Sequence, residues 1–390
     1  MRNLFLILLY FPCIVYAQST IHFNRSSVIQ TGMPFLSLQS DARASAMANI
    51  GSVTTPDVFS QSWNSAKYAF IENKKGLGMS YVPYLNKLTN DVFLGNITYF
   101  VRPKERGTWA FSMNYFNMGD VELSQMQGIN FLSNGFVKPN EFTLDVSYNL
   151  KLSEHISMGV VTRWLHSNLQ NYNDNEKRVS NSISISLSSY YQSELKYYDI
   201  LETQWKIGIS LTNIGPKLVY EKGGNEFFIP ANLKFGFGYD FLFEKEHSLS
   251  LLLEANKLLV PTPPLYGFVD KNNDSKQNSD EPTIIIEGKN PNVSFFDGVF
   301  QSFFDAPKGW REELQEISLS LGFEYCFRDN FALRCGYFYE DPNKGARQFL
   351  TIGTGFKYQS FRFHFSYLFS ITSVPNPLEN ALRISGSYER

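Results

Sequence analysis

Residues 360–370 read SFRFHFSYLFS and place a large aromatic side chain at every second position. The intervening positions include Arg362, His364 and Ser366. A period of two is typical of a β-strand with two different faces. A soluble sandwich would turn the aromatic face towards a core, whereas a transmembrane barrel would turn it towards lipid. The rest of the chain has to decide between these two classes.

The composition favours an exported membrane barrel. Aromatic residues make up 16% of the chain, yet the mean hydropathy is only −0.23. The only long apolar run is at the start, where Arg2, the run 4–15 and the small residue Ala17 predict a signal peptide over residues 1–17. The net charge of −2 gives no global electrostatic reason to expect a nucleic acid partner.

The alternation of the opening stretch recurs along the chain. One face of each segment is apolar and rich in aromatics, and the other mixes Gly, Ser and charges of both signs, as expected for lipid outside and a polar lumen inside. This pattern predicts an all-β fold, a transmembrane antiparallel β-barrel of fourteen strands within residues 76–390. The predicted strands are 76–83, 90–102, 107–123, 140–152, 155–169, 180–198, 203–221, 229–243, 247–260, 314–328, 330–341, 347–359, 361–371 and 380–389.

The gaps between these segments alternate in length. Every second gap is short, as at 153–154 and 244–246, whereas the others are mostly longer and reach an extreme at 261–313. Outer-membrane barrels have short periplasmic turns and long extracellular loops. The alternation therefore indicates an outer-membrane barrel with one very long extracellular loop over 261–313.

The segment before the first strand, residues 18–75, has a different pattern. Alternation is absent from 35–70, and residues 41–50 are rich in Ala and Ser at helical spacing. Small residues allow close backbone packing, which suits a plug or hatch inside a barrel too wide for its own side chains to fill. An N-terminal extension lying in the periplasm is the alternative, and we predict the plug.

The polar residues do not form a convincing catalytic set, so we predict that the protein is not an enzyme. The five histidines are scattered along the barrel, and no GxSxG stretch is present. His364, Arg362 and Glu324 could meet in the lumen, where a polar network is commoner than a catalytic site. Cys326 and Cys335 fall on opposite faces of their strands, which predicts two free thiols.

The loop 270–281, DKNNDSKQNSDE, resembles a calcium-binding loop. Asp270, Asn272, Asp274 and Glu281 have the spacing of oxygen ligands 1, 3, 5 and 12. Ser275 stands where such loops need glycine for a sharp turn, and no helical pattern flanks the segment. We therefore expect no cofactor and keep calcium as a minor alternative, because polar residues cluster in any long solvated loop.

An aromatic cluster follows in the same extracellular loop. Exposed apolar patches of this kind usually mark a surface for a partner or ligand. A lid folded over the barrel mouth is the alternative. The residues predicted to bind a partner are Phe295, Phe296, Val299, Phe300, Phe303, Phe304 and Trp310.

Several stretches resemble the PorV family, also called LptO. They include DARASAMANIG (41–51), LEANKLLVPTPP (253–264), FFDAPKGWREELQEI (303–317) and NPLENALRISGSY (376–388). Members of that family are outer-membrane barrels of the type IX secretion system in Bacteroidota-type cells. They are related to the FadL fatty-acid transporters, which are fourteen-stranded barrels with an N-terminal hatch.

The resemblance implies a function and a set of partners. It implies a non-enzymatic shuttle in the outer-membrane lipid. Such a shuttle binds the C-terminal signal domain of cargo leaving the SprA (Sov) translocon and delivers it to the PorU sortase. A FadL-like transporter of hydrophobic small molecules is the alternative, and the charged lumen faces disfavour the apolar pocket that it needs. The LptO name also implies lipopolysaccharide deacylation, for which the sequence offers no nucleophile and base pair.

Overall fold

The structure is a computed structural model of the chain. It describes residues 28–85, 89–127, 130–169, 179–220, 223–243, 246–268, 282–372, 379 and 381–390. The predicted signal peptide and the calcium-like loop 270–281 lie outside these residues. The division into 1–17, 18–75 and 76–390 therefore stays a prediction, although the first barrel strand begins at Lys75.

Fourteen antiparallel strands form a closed barrel, which confirms the predicted fold class and strand number. Each strand pairs with the next along the chain, and the last pairs with the first, with Tyr81 opposite Ile384. The strands are β1 Lys75–Pro83, β2 Val92–Lys104, β3 Gly107–Met118, β4 Asn140–Lys151, β5 Ile156–Asn168, β6 Val179–Gln192, β7 Leu201–Ile214, β8 Asn232–Phe243, β9 His247–Leu258, β10 Ile317–Phe327, β11 Phe331–Tyr339, β12 Gln348–Tyr358, β13 Phe361–Ser370 and β14 Leu382–Glu389.

Most strand ends differ from the prediction by a few residues, and four differ for a structural reason. The segment 180–198 divides into β6 and a short strand Lys196–Tyr198, and 203–221 divides into β7 and Leu218–Val219. The division of 203–221 comes at residues 215–217, and a bulge lies within β7 between Leu211 and Ile214, where Asn213 has φ +58°. The segment 107–123 ends early at Met118, and the predicted start of 314–328 is helical.

The stretch 360–370 shows which face of the strands lies on the outer surface and which lines the lumen. In β13, Phe361, Phe363 and Phe369 are exposed on the outer surface, whereas His364 and Ser366 are buried inside. Aromatic side chains outside and polar side chains inside is the arrangement of a barrel in lipid. Among the described residues, no helix has the length and apolar character needed to cross a membrane.

The connections at the two ends of the barrel differ in length, as predicted. One end has turns such as 105–106 and 359–360, and the other has connections as long as 259–316. We assign the end with short turns to the periplasm and the other end to the cell exterior.

The connections carry small elements of their own. In the described residues of the exterior connections these are three strand pairs and two helices. The pairs are Val121–Gln127 with Asn130–Val137, Leu218–Val219 with Glu226–Phe227, and Leu265–Phe268 with Thr283–Glu287. Helix α2 is Phe295–Gln301 and helix α3 is Trp310–Gln315, numbered after a short N-terminal helix α1, Ala42–Ser45.

The N-terminal segment lies inside the lumen, so the predicted plug is confirmed. Its elements are α1 and the 3₁₀ turns Pro34–Ser37, Val58–Ser62 and Ser65–Phe70. The Asp41 carboxylate caps α1 by accepting from the backbone N–H groups of Arg43 and Ala44. Most residues of the plug are buried, so its short helices are stabilised mainly by packing against the barrel wall.

Side chains from strands all around the ring hold the plug. The Glu254 Oε2 atom of β9 accepts from the backbone N–H groups of Gly51 and Ser52 and from the Ser52 hydroxyl. On other strands, the Ser385 hydroxyl accepts from Ala42 N at 2.8 Å, and the Ser157 hydroxyl donates to Ala66 O at 2.7 Å. These bonds satisfy plug backbone groups that would otherwise be buried without a partner.

Candidate functional site

The long extracellular loop presents an apolar surface formed by the two helices α2 and α3. Side chains four residues apart share one face of a helix. This surface, which we call the aromatic ridge, consists of Phe296, Phe300, Phe304, Trp310 and Leu314. Phe300, Phe304 and Trp310 expose 71%, 75% and 69% of their surface. A group of large apolar side chains this exposed requires an explanation other than folding.

A close contact with the barrel rim decides which face of α2 points outwards. A Cβ atom added at Gly298 would lie 2.5 Å from the Phe228 ring and 3.2 Å from Pro261, so the backbone of the helix packs directly on both residues. At the N-terminus of α2, the Ser294 hydroxyl accepts from the backbone N–H of Asp297. The contact at Gly298 turns Phe296 and Phe300 away from the barrel.

A buried ion network anchors α3. The Lys344 ammonium, from the neighbouring loop 340–347, lies 2.8 Å from Glu312 Oε1 and 2.9 Å from Glu316 Oε1. Lys257, at the end of β9, lies 2.6 Å from Glu316 Oε2 and 2.9 Å from Glu313 Oε2. The ridge is therefore tied to two different parts of the rim.

The linker between the helices is held by the same carboxylates. Glu313 Oε1 accepts from the backbone N–H groups of Asp305 and Ala306, and Asp305 Oδ2 accepts from the backbone N–H of Thr262 at 3.0 Å. Burial raises the pKa of Asp305 to about 6, and the nearby carboxylates of Glu313 and Glu316 add to this effect. The linker, like the helices, is a fixed part of the outer surface.

Replacing Lys344 by methionine is expected to loosen the ridge without unfolding the barrel. The substitution leaves the buried carboxylates of Glu312 and Glu316 without this ammonium, and breaking such a pair costs about 3–5 kcal/mol. Limited proteolysis of whole cells should cleave residues 295–316 at least about 10-fold faster than in the unmodified protein. Lys308→Met, at an exposed position of the same loop, is the control, and equal cleavage of both variants would contradict the anchoring role.

The seven predicted partner-binding residues lie in α2, in α3 and in the linker between them, and the structure does not expose all of them. Phe296, Phe300, Phe304 and Trp310 are exposed, whereas Phe295, Val299 and Phe303 are half-buried. Leu314 joins the ridge and was missed by the sequence prediction, although its position four residues after Trp310 was the available signal. Their role in binding stays a prediction.

The lumen contains a polar cluster that includes Glu324 and His364, as expected, but not Arg362. Glu324 receives hydrogen bonds from both Arg43 and Arg334, and Arg334 lies 3.2 Å from His364 Nδ1. Arg362, expected in this cluster, instead pairs with Asp329 at the periplasmic rim, at 3.1 Å. The cluster joins the plug to the wall, because Arg43 belongs to the plug.

The lumen is more apolar at its extracellular end than the sequence indicated. Inward-facing residues of that end, such as Leu94, Phe116, Phe338 and Leu368, form an apolar layer. The plug residues Met33, Phe35 and Leu36 pack into this layer, with Phe35 stacked on Phe116 at 5.7 Å. The polar lumen that the alternation predicts therefore does not extend to this end, where the plug side chains pack against the apolar layer.

A large open space of the lumen lies at the periplasmic end and is lined by both charged and apolar residues. A cavity of about 610 Å³ is lined there by charged residues such as Arg43, Glu324, Asp329 and Arg362. Cys326 lines this cavity, whereas Cys335 is exposed on the outer face, and both are free thiols, as predicted. Within the described part of the chain, no cluster of three or more His, Cys, Asp or Glu side chains could hold a metal ion.

Comparison with known sequences identifies the family. The family described as "Type IX secretion system protein PorV" matches residues 21–265, which is more than half of the chain. The chain belongs to the PorV family. It is therefore an outer-membrane component of the type IX secretion system, in a family that is not known for enzymatic activity. The aromatic ridge lies beyond the matched span. No curated protein matches the sequence of this PorV-family chain.

Several solved structures resemble this PorV-family barrel remotely. The Pseudomonas putida toluene transporter TodX is 11% identical, with 94% of this chain and 99% of that chain covered and a TM-score of 0.49. The Ralstonia pickettii toluene transporter TbuX is 11% identical, with 89% and 95% covered and a TM-score of 0.44. A Pseudomonas aeruginosa FadL homologue is 11% identical, with 90% and 98% covered and a TM-score of 0.41. Likenesses this remote carry no argument about ligands.

Proposed function

We propose that this PorV-family protein is a docking shuttle for secreted proteins. It binds the C-terminal signal domain of cargo leaving the SprA (Sov) translocon and delivers the cargo to the PorU sortase. The observation that carries the proposal is the aromatic ridge, which is exposed at the extracellular end and fixed by the buried pairs of Lys257 and Lys344. A surface that is rigid before binding loses less entropy when a partner binds.

The plug in the lumen supports binding of cargo on the outside of the barrel rather than passage of cargo through it. A folded cargo protein cannot pass a lumen filled by a plug that is bonded to Glu254, Ser157 and Ser385 on separate strands. Cargo held on the outside of the barrel leaves this plug in place. The outer rim is consequently the part of the protein where cargo and machinery meet.

Replacing Phe300 and Phe304 together by serine is expected to abolish export while the barrel remains folded in the membrane. Large, exposed aromatic anchors typically contribute about 2 kcal/mol or more each to binding, so the double change should weaken partner binding by about 100-fold or more. Measurement of secreted proteins in the medium and of barrel abundance in the outer membrane tests this.

The double variant Tyr266→Ser with Ile284→Ser is the matched control. Both side chains are exposed in the same extracellular loop but lie outside the ridge. Export should be normal in this control. Normal export in the ridge variant as well would sink the proposed role of the ridge. If export is lost only in the ridge variant, cross-linking from position 300 distinguishes two neighbours of the ridge, the side opening of the translocon and the cargo domain.

A FadL-like transporter of hydrophobic small molecules is a second candidate, because the lumen does contain an apolar layer. Met33, Phe35 and Leu36 occupy this layer, so a ligand would have to displace them. Native mass spectrometry of the barrel purified from its own membrane tests this candidate. A stoichiometric bound fatty acid would favour transport, and a barrel without one would favour the shuttle.

A further inference from the structure

The hairpin of β3 and β4 continues beyond the barrel as a two-stranded ribbon, Val121–Gln127 with Asn130–Val137. The flanking strands do not follow it. Strand β2 begins at Val92, opposite Met118, and strand β5 ends at Asn168, opposite Asn140. Within the described residues the ribbon pairs with no other strand, so both of its edges lack a neighbour.

The sequence of the ribbon does not protect these edges. Residues 121–137, VELSQMQGINFLSNGFV, contain one charged residue, Glu122, and neither lysine nor proline. Natural proteins protect exposed edges with charges, prolines, bulges or covering elements, because an open edge is a template for another strand. An isolated pair of strands is also only marginally stable in water, and pairing with a third strand stabilises it.

The two edges of the ribbon are not equivalent. Glu122 lies opposite Phe136 and Ser124 lies opposite Ser133, so residues 134 and 135 together oppose a single residue. This bulge belongs to the strand Asn130–Val137, where Gly135 has φ +99°. A bulge twists its strand and hinders pairing. The strand Val121–Gln127 therefore keeps the regular edge.

The register shows which amides of that edge are free to pair. Gln127 lies opposite Asn130, next to the two-residue connection of the hairpin. Such a connection closes on a hydrogen-bonded pair, and hydrogen-bonded and non-hydrogen-bonded pairs alternate along an antiparallel ladder. Ser124 and Met126 therefore direct their backbone N–H and C=O groups away from the partner strand.

We propose that the edge Val121–Gln127 accepts an extended β-strand of a secreted protein. This inference rests on the proposed shuttle function and assigns a second contact to it. Pairing through the main chain is tolerant of sequence, so one edge can serve the C-terminal signal domains of different cargo proteins. The ribbon stands at the extracellular end, as the aromatic ridge does, so one cargo domain can use both.

The test compares Ser124→Pro with Ser133→Pro. These residues are cross-strand partners of the same type, so each change removes one outward amide from opposite edges of the same ribbon. The probe is the purified C-terminal signal domain of a protein secreted by the same cell. Ser124→Pro should weaken binding by about 10-fold or more, from lost hydrogen bonds and an obstructed edge, whereas Ser133→Pro should change binding by less than about 3-fold. Amide hydrogen exchange of 121–127 should slow when the domain binds.

The outcomes separate this inference from the function on which it rests. If the unmodified barrel binds the domain and both proline variants bind equally well or equally poorly, the edge is not the contact and the shuttle stands. If the unmodified barrel does not bind the domain, the shuttle and the inference both fail. Dimers of the barrel that Ser124→Pro disperses would overturn the inference in favour of self-pairing. Met126→Lys, which places a charge on the same edge, replaces Ser124→Pro if that variant does not fold.

Discussion

Replacement of Arg43 by methionine is expected to lower the free energy of unfolding of the barrel by about 3–5 kcal/mol, because it breaks two buried ion pairs at once. The Arg43 guanidinium lies 2.8 Å from Asp57 Oδ2 and 2.7 Å from Glu324 Oε1, and all three side chains are almost entirely buried. It also donates to the Thr55 carbonyl and hydroxyl. One side chain thus joins two parts of the plug to strand β10.

Urea unfolding of the protein in lipid vesicles measures this loss. Arg362→Met is the control, because Arg362 and its partner Asp329 are partly exposed at the rim and such pairs contribute about 1 kcal/mol or less. An Arg43 variant as stable as this control would show that the ion pairs of Arg43 do not hold the plug in the barrel.

Replacement of Gly208 by valine is expected to displace the plug. A Cβ atom added at Gly208 would overlap the carbonyl oxygen of Ser52, which is backbone and cannot rotate away. Gly336 has the same relation to the backbone at Met47 and Ala48. The plug lies this close to the wall only because the wall has no side chain at these points.

The displaced plug should turn a closed barrel into a pore. Single-channel recordings should detect a stable conductance for Gly208→Val that is absent from the unmodified protein, and cells should become sensitive to large antibiotics. Gly95→Val is the matched control, since the nearest atom to its added Cβ is 3.9 Å away. A Gly208 variant as closed as the Gly95 variant would contradict the close fit between plug and wall.

The barrel itself could be predicted from the sequence because each strand shows its alternating pattern without reference to the strands that it pairs with. Alternation in a stretch such as 360–370 reports two environments directly, lipid and lumen, without knowledge of any neighbour. The prediction of strand ends failed where alternation continued beyond a barrel strand into a loop element, and where a bulge interrupted the alternation inside a strand. Residues 107–123 were read as one barrel strand because the ribbon begins soon after β3, and the bulge at Asn213 was invisible as a pattern.

The contacts that make the candidate site could not be predicted because they join residues far apart in the chain. Arg43 meets Glu324 across 281 positions. The aromatic cluster was recognised from its composition, but the contact of Gly298 with Phe228 decides that Phe300 is exposed and Val299 is not. The buried pair of Lys344 with Glu316 has no local signature at all.

We expect the outer rim to bind secreted proteins and their machinery while the lumen stays closed. Gentle purification of the tagged protein from its native outer membrane, followed by mass spectrometry of the proteins and lipids that accompany it, tests this. A very large translocon protein should co-purify together with secreted proteins that share one C-terminal domain, and both should be lost from the Phe300→Ser, Phe304→Ser variant. A barrel that purifies alone, or with only fatty acid or lipid bound, would overturn docking at the rim and favour transport.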